Sequence, residues 1–186
     1  FGVAGLLHDL GKVKIPMEIL NKPGKLTDEE RNVMQGHTVE GAKLIITSDR
    51  ELDMAAAVAY EHHIMINGGG YPKRHYARDV HKASSLVHVC DVYDAITSNR
   101  PYKAGWDPAE AIRKMAEWRG GHFDDAVFQA FVKSLGIYPT GSLVRLQSGR
   151  LAVVVSQNER SLVTPVVRVF FSTRSQLHLP PELLDL

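Results

Sequence analysis

Four histidines and two aspartates recur at similar intervals along the first half of the chain: His8-Asp9, His37, His62-His63 and Asp91. Asp9 and His37 lie 28 residues apart, His37 and His62 lie 25 apart, and His63 and Asp91 lie 28 apart. Each interval fits one helix plus its connection. Successive antiparallel helices would bring all six side chains to one end or one internal level of a bundle, which is how bundle metal sites are built. Adjacent helical residues point about 100° apart, so His8 with Asp9, or His62 with His63, can grip two neighbouring ions or two positions on one. Such a set exceeds what one tetrahedral zinc needs. It suits a site for two or three divalent ions such as iron or manganese, with a carboxylate as bridge and water in the open positions. The lack of a thiolate among these residues argues against a structural zinc module. Each residue alone has an ordinary explanation as a cap, a packed ring or a surface group; their joint occurrence points to chemistry.

The elements that must position these residues are mainly helical. From Phe1 to about Gly136, apolar residues recur at 3.6-type spacing behind recognisable start signals. Thr27-Asp28-Glu29-Glu30 reads as a capping box, and Asp107-Pro108 as a capped start with proline at the first helical position. A further helix is expected after Asp124, with Val127, Phe128, Phe131 and Val132 on one face. Val13–Leu26 and Asn67–Asp79 read as long irregular connections, which in compact helical domains are often functional. After Tyr138-Pro139 the pattern changes. Leu143–Leu146, a Ser148-Gly149 turn and Leu151–Val155 give a β-hairpin signal, Val166–Phe171 offers another strand, and the β part is expected to end near Pro180-Pro181. The expected organisation is a helical domain over 1–136 and a small β-rich extension over 137–186.

The remaining bounds are broad. With 44% hydrophobic and 23% charged residues the 186-residue chain has the make-up of a soluble globular protein. The net charge of +1 gives no global pull toward a polynucleotide, so an anionic ligand must be attracted locally. No apolar run approaches the roughly 20 residues of a membrane span. The one cysteine, Cys90, excludes an internal disulfide framework and fits a reducing compartment. The opening Phe1-Gly2-Val3-Ala4, with His8-Asp9 close behind, suggests a fragment of a longer protein.

Several longer motifs run in order: His8-Asp9-Leu10-Gly11-Lys12, Pro16, Ile19-Leu20-Asn21-Lys22-Pro23-Gly24-Lys25-Leu26-Thr27, His37, HHIMINGGGYP from His62 to Pro72, Asp91-Val92-Tyr93-Asp94-Ala95 and Asn99-Arg100-Pro101-Tyr102-Lys103. This series, spanning about residues 4–136, resembles the HD-GYP family, a bacterial branch of the HD phosphohydrolases that hydrolyse cyclic di-GMP. The resemblance implies an HD-type helical bundle in the bacterial cytoplasm, with the β-hairpins as an appendage. It implies His8, Asp9, His37, His62, His63 and Asp91 as metal ligands, Lys12 on the scissile phosphate, Tyr71 beside the nucleotide, and Arg100 and Lys103 on its other phosphate. A further family ligand on an upstream helix would have to come from before Phe1. Implied partners are upstream sensory or receiver domains and diguanylate cyclases of the GGDEF type.

The physical roles agree with the resemblance. A phosphodiester must be held, its developing charge offset and a water ionised near neutral pH, and two adjacent ions do all three. Lys12 follows His8 by one helical turn if the helix continues, so its ammonium would face the same pocket. Asp94 has two readings, one as an orienting group for a ligand or water and one as a plain helix-face acid. His75, His81, His88, His122 and His178 are expected to be structural or solvent-facing.

The chain departs from the family pattern at two positions. Most active members follow the two histidines with glutamate and place aspartate before the first glycine, whereas this chain has Ile64 and Asn67. Three functions therefore stand side by side: a phosphodiesterase opening cyclic di-GMP to linear pGpG and onward to GMP, a catalytically weak or inactive domain that binds the nucleotide as a sensor, and hydrolysis of a different phosphoester, which the Gly70-Tyr71-Pro72 loop disfavours. Retention of the six ligand-type residues and Lys12 favours the first.

Overall fold

A computed structural model describes residues 1–48, 52–99, 104–158 and 160–186. The helical part comprises α1 (Gly2–Leu7), a 3₁₀ turn (Leu10–Lys14), α2 (Met17–Leu20), α3 (Asp28–Gln35), α4 (His37–Ser48), α5 (Asp53–Glu61), α6 (Lys82–Thr97), α7 (Pro108–His122) and α8 (Asp125–Leu135). The start signals act as expected. Thr27 Oγ1 accepts from the Glu30 amide while the Glu30 carboxylate accepts from the Thr27 amide, closing the capping box of α3. Asp107 accepts from the amides of Ala109 and Glu110 at the head of α7.

Helices α4 and α5 pack through a seam of small residues. Ala55, Ala56, Val58 and Ala59 meet Ile45, with Ala4 of α1 and Ala83 of α6 in the same buried cluster. Alanine at these positions lets backbones approach closely without side-chain entropy to lose. The two helices are joined by a short connection, so the start of α4 and the end of α5 share one end of the pair. This places His37 beside His62.

A second core joins α6, α7 and α8 through Val89, Met115, Phe123 and Phe128, with Val127, Phe131 and Val132 packed against it. The Phe123 and Phe128 rings stack with centroids 5.6 Å apart. Asp124 ties this core together, capping α8 through the Val127 amide at 3.0 Å and pairing with Lys82 at the head of α6. Asp124→Ala is expected to lower stability by about 1 kcal/mol, the usual worth of such a cap. Urea unfolding of the variant checks this, and an unchanged midpoint would contradict it.

The C-terminal part is a four-stranded antiparallel meander: β1 (Leu143–Arg145), β2 (Arg150–Asn158), β3 (Ser161–Ser172) and β4 (Leu177–Asp185). Its buried face carries its own core of Ala152, Val154, Val167 and Val169. The expected end at Pro180-Pro181 is corrected here, because β4 runs through both prolines. β4 is an edge strand, and the register to β3 shifts between Val169 and Phe171, so no ladder bond from either proline is missed.

The irregular Val13–Leu26 connection is more ordered than expected, since the 3₁₀ turn and α2 both fall within or beside it. Gly11 lets that turn lie directly on α4: a Cβ there would stand 1.8 Å from the His37 carbonyl oxygen. Among the described residues, no helix is long and apolar enough to cross a membrane.

Candidate metal centre

The six residues singled out by spacing converge. α1 ends at Leu7, so His8 and Asp9 sit at the break between this helix and the 3₁₀ turn rather than within one continuous helix. His37 opens α4, His62 closes α5 with His63 after it, and Asp91 projects from the middle of α6. One donor atom from each of Asp9, His37, His62 and His63 lies within 4.8 Å of every other. Asp91 joins from the far side, 3.8 Å from His8 Nε2 and 3.9 Å from His63 Nδ1.

The imidazoles are aimed by their backbones. His8 Nδ1 donates to the Gly5 carbonyl at 2.6 Å, His37 Nδ1 to Met34 at 2.7 Å, and His62 Nδ1 to Ala59 at 2.9 Å. A carbonyl only accepts, so each Nδ1 carries a proton and each Nε2 is turned inward; this is the outer support that metal-binding histidines receive. His37 and His62 are almost wholly buried, at 1% and 0% exposure, with their Nε2 atoms 3.4 Å apart.

Asp9 divides its oxygens. Oδ1 lies 3.3 Å from His37 Nε2 and 3.7 Å from His62 Nε2, while Oδ2 lies 3.4 Å from His8 Nε2 and pairs with Lys12. His8 Nε2 and Asp9 Oδ1 are both buried and lack a hydrogen-bond partner. Buried polar atoms without partners cost free energy, and a divalent cation among these donors would satisfy them. The donor set therefore fits a divalent metal ion.

The protonation of the cluster follows from the same contacts. Burial pushes the Asp9 carboxyl up, but the imidazoles of His37, His62 and His8 and the Lys12 ammonium around it outweigh this and hold the group far below the usual carboxylate range. The carboxylate of Asp9, followed by that of Asp91, raises His8 to about 10 against the effect of burial. A cation bound at this imidazole displaces its proton, so uptake there competes with protonation. Burial, then the charges of His62 and His37, brings His63 down to about 3, with Asp91 opposing. His63 is thus the neutral, ligand-ready form.

Tyr71 borders the cluster, its ring 4.5 Å from that of His63 and 6.1 Å from that of His37. Gly70 makes this approach feasible. Its φ is +78°, and a Cβ there would meet the His63 carbonyl oxygen at 2.0 Å. Lys12 reaches the cluster from the 3₁₀ turn rather than from an extended α1, with 40% of its side chain exposed. Asp94 is exposed one turn past Asp91, and its Oδ1 accepts from Ser98 Oγ at 3.2 Å. Arg100 and Lys103 lie outside the described residues.

The two departures occupy different places. Ile64 is a core residue at 3% exposure, bridged to Gly70. Asn67 orders the loop, its Oδ1 accepting from the Gly69 amide at 2.9 Å and its own amide donating to Gly121 at 3.1 Å. Neither belongs to the donor set around Asp9.

Two further residues support the cluster, one read in the sequence as structural or solvent-facing and one that sequence reasoning missed. His88, read as structural or solvent-facing, is buried and donates from Nδ1 to the His62 carbonyl at 2.6 Å, fixing the backbone of a cluster member. Its position three residues before Asp91, on the same helix face, was the available signal. Glu61 is buried directly beside the histidine pair, and no sequence signal separates it from an ordinary helix-end acid. Burial pushes its carboxyl up, but Tyr76, the His81 amide, Ser84 and Arg78 more than compensate and keep it ionised. Of the other histidines, His81 caps α6 through the Ala83 amide and His178 packs on Phe171, while His122 lies against Trp118 and Phe123.

Comparison with known proteins agrees with this geometry. The profile of the HD domain family matches residues 1–127. The chain is 53% identical over 185 residues to a cyclic di-GMP phosphodiesterase of Pseudomonas aeruginosa, which covers 100% of this chain and 44% of that protein. It is 38% identical over 132 residues to a cyclic di-GMP phosphodiesterase response regulator of Xanthomonas campestris pv. campestris, covering 70% of this chain and 35% of that one. It is also 34% identical over 131 residues to a 3'3'-cGAMP-specific phosphodiesterase of Vibrio cholerae, covering 70% and 25%. The chain spans less than half the length of each of these relatives. From the matched profile, the identity across its whole length and the clustered His and Asp residues, the chain belongs to the HD domain family, in its HD-GYP branch.

Proposed function

We propose that this chain is the catalytic part of a metal-dependent phosphodiesterase that opens cyclic di-GMP to linear pGpG and, in a second step, yields GMP. The observation that carries the reading is the convergence of Asp9, His37, His62 and His63, with His8 and Asp91 beside them and Lys12 at the rim. The Pseudomonas relative, similar over the whole of this chain and 44% of its own length, bears the name of that activity.

The residues divide the work. His8, Asp9, His37, His62, His63 and Asp91 would hold two or three divalent ions, iron or manganese by their mixed imidazole and carboxylate character. The chemistry such ions supply when bound is ionisation of water near neutral pH and offset of phosphate charge. Asp9 turns one oxygen toward His37 and His62 and the other toward His8, so both of its oxygens would be available to such ions. Lys12 directs an ammonium to the scissile phosphate, and the Tyr71 ring walls the base or ribose beside His63. Arg100 and Lys103 are assigned the second phosphate on their match to the family motif.

Lys12→Met is expected to lower turnover by about a hundredfold to a thousandfold, the usual worth of one group stabilising developing charge. Steady-state kinetics with metal content measured in parallel check this; full turnover in the variant would remove Lys12 from the mechanism.

The sensor reading drew on Ile64 and Asn67. The packing of Ile64 in the core and the hydrogen bonds of Asn67 to Gly69 and Gly121 support turnover instead, because neither residue replaces a member of the donor set around Asp9. The Vibrio relative's specificity for 3'3'-cGAMP makes substrate choice a separate question. Full-length protein offered both nucleotides is expected to show a kcat/KM at least about tenfold higher for cyclic di-GMP, a difference of about 1.4 kcal/mol in transition-state binding. Preference for 3'3'-cGAMP would reassign the substrate. An upstream receiver or sensory domain and a GGDEF-type cyclase are the proposed partners, the former supported by the response-regulator name of the Xanthomonas relative.

A further inference from the structure

Glu61 has no place in the donor set, yet its carboxylate is 1% exposed and fully engaged. Oε1 accepts from Tyr76 Oη at 2.5 Å and from Arg78 Nη2 at 2.6 Å. Oε2 accepts from the His81 amide at 2.9 Å and from Ser84 Oγ at 2.7 Å. Three of these four donors come from the loop between Ile64 and His81, and the fourth from the first turn of α6. The Arg78 guanidinium also lies over the Tyr76 ring, 4.6 Å from its centroid.

That loop has little else to hold its far half. From Lys73 to His81 only Tyr76 and Val80 are partly buried, and no residue of the stretch belongs to a hydrophobic cluster. Its near half is pinned to the histidine pair. The Tyr71 amide donates to the His63 carbonyl at 3.1 Å, the Met65 amide to Gly69 at 3.0 Å, and Ile64 bridges Gly70. Tyr71 therefore stands between two fixed points, one at His63 and one at Glu61.

We propose that Glu61 is a positioning residue for the substrate pocket: by gripping Tyr76, Arg78 and His81 it fixes where Tyr71 stands against His63. Stability alone gives a poor account of this carboxylate. Burying an ion costs more desolvation than burying an apolar residue of equal volume, and α5 is already packed by Ala55, Ala56, Val58 and Ala59. What the carboxylate does that an apolar residue would not is collect donors from an exposed polar loop and hold them at one point. Glu61 also leads directly into His62, so the same anchor sets the loop relative to the metal cluster. The functional part of this inference rests on the phosphodiesterase reading above, whereas the anchoring of the loop does not.

The test uses full-length protein and two readouts. Glu61→Gln keeps the volume but turns an NH₂ toward two of the donors. It is expected to speed hydrogen exchange at the Gly68 and Tyr71 amides by at least about tenfold while α4 and α5 amides stay protected. It should also raise KM for cyclic di-GMP at least about fivefold with kcat changed less than about twofold, the pattern of lost substrate positioning. Combined with Tyr71→Ala it should add little, because the two act through one element. Arg78→Ala, at an exposed position, should move both readouts in the same direction and carries the test if Glu61→Gln does not fold. Glu61→Asp should recover part of the KM. Folded Glu61→Gln with unchanged loop exchange would overturn the proposal, as would a KM effect fully additive with that of Tyr71→Ala. If the wild-type protein turns over no cyclic dinucleotide, the functional reading fails while the exchange measurement still decides whether Glu61 anchors the loop.

Discussion

Asp9→Ala is expected to empty the metal site and to lower turnover by at least about a hundredfold, since even a supporting partner outside a ligand set costs ten- to a hundredfold. The expectation follows from how much converges on one carboxylate. Asp9 Oδ1 faces His37 and His62, and Oδ2 faces His8 and Lys12. Alanine removes the carboxylate that these four groups share and leaves the Lys12 ammonium and the Nε2 atoms of His37 and His62 without it. Of the six residues only Asp91, beside His8 and His63, would then carry a charge to offset that of a cation. Elemental analysis of the purified variant beside the wild type reads the first effect, and nucleotide turnover the second. Wild-type metal content in Asp9→Ala would show that the ligand assignment is wrong. Asp9→Asn keeps the shape and removes the charge, so it should bind metal weakly rather than normally.

The second large effect is on folding. Gly11→Ala is expected to destabilise the protein by about 3 kcal/mol, at the upper end of overpacking costs. A Cβ at Gly11 would stand 1.8 Å from the His37 carbonyl oxygen and 2.5 Å from the Gly41 amide nitrogen. Both obstacles are backbone of α4, so no side chain can swing aside. The 3₁₀ turn must lift or α4 must move, and either displaces Asp9 and Lys12 relative to His37. Gly120→Ala is the matched control, for a Cβ there meets nothing within 4 Å, and alanine in α7 should leave stability unchanged or raise it by up to about 1 kcal/mol. Urea unfolding separates the two. A Gly11→Ala midpoint equal to wild type would mean that the turn does not rest on α4.

Much of the candidate site was legible in the sequence because its His and Asp residues recur at one-helix intervals, and the antiparallel pairing of α4 and α5 is what turns the interval from His37 to His62 into a contact. Caps at Thr27, Asp107 and Asp124 were equally legible, since a side-chain acceptor at that offset leaves little freedom in where the helix starts. The break after Leu7 was not. Nothing in His8-Asp9-Leu10-Gly11-Lys12 forbids a continuing helix, and it is the packing of Gly11 on α4 that draws the chain into a tighter turn. β4 was hidden by Pro180-Pro181, which read as a stop although an edge strand tolerates them. Glu61 was hidden for a different reason: its role depends on burial and on partners from the loop and from α6, which residue type and spacing do not encode. The motif positions Arg100 and Lys103 fall outside the described residues, so their roles rest on the motif.

The proposed role of the cluster around Asp9 is to hold divalent ions and, with Lys12 and Tyr71, to open cyclic di-GMP. The most direct measurement is product analysis with full-length protein purified without oxygen and reconstituted with iron or with manganese. Linear pGpG that appears with either ion, and disappears when the ion is chelated, is the result expected. Clear nucleotide binding with no linear product under either ion would contradict the enzyme and establish the sensor in its place.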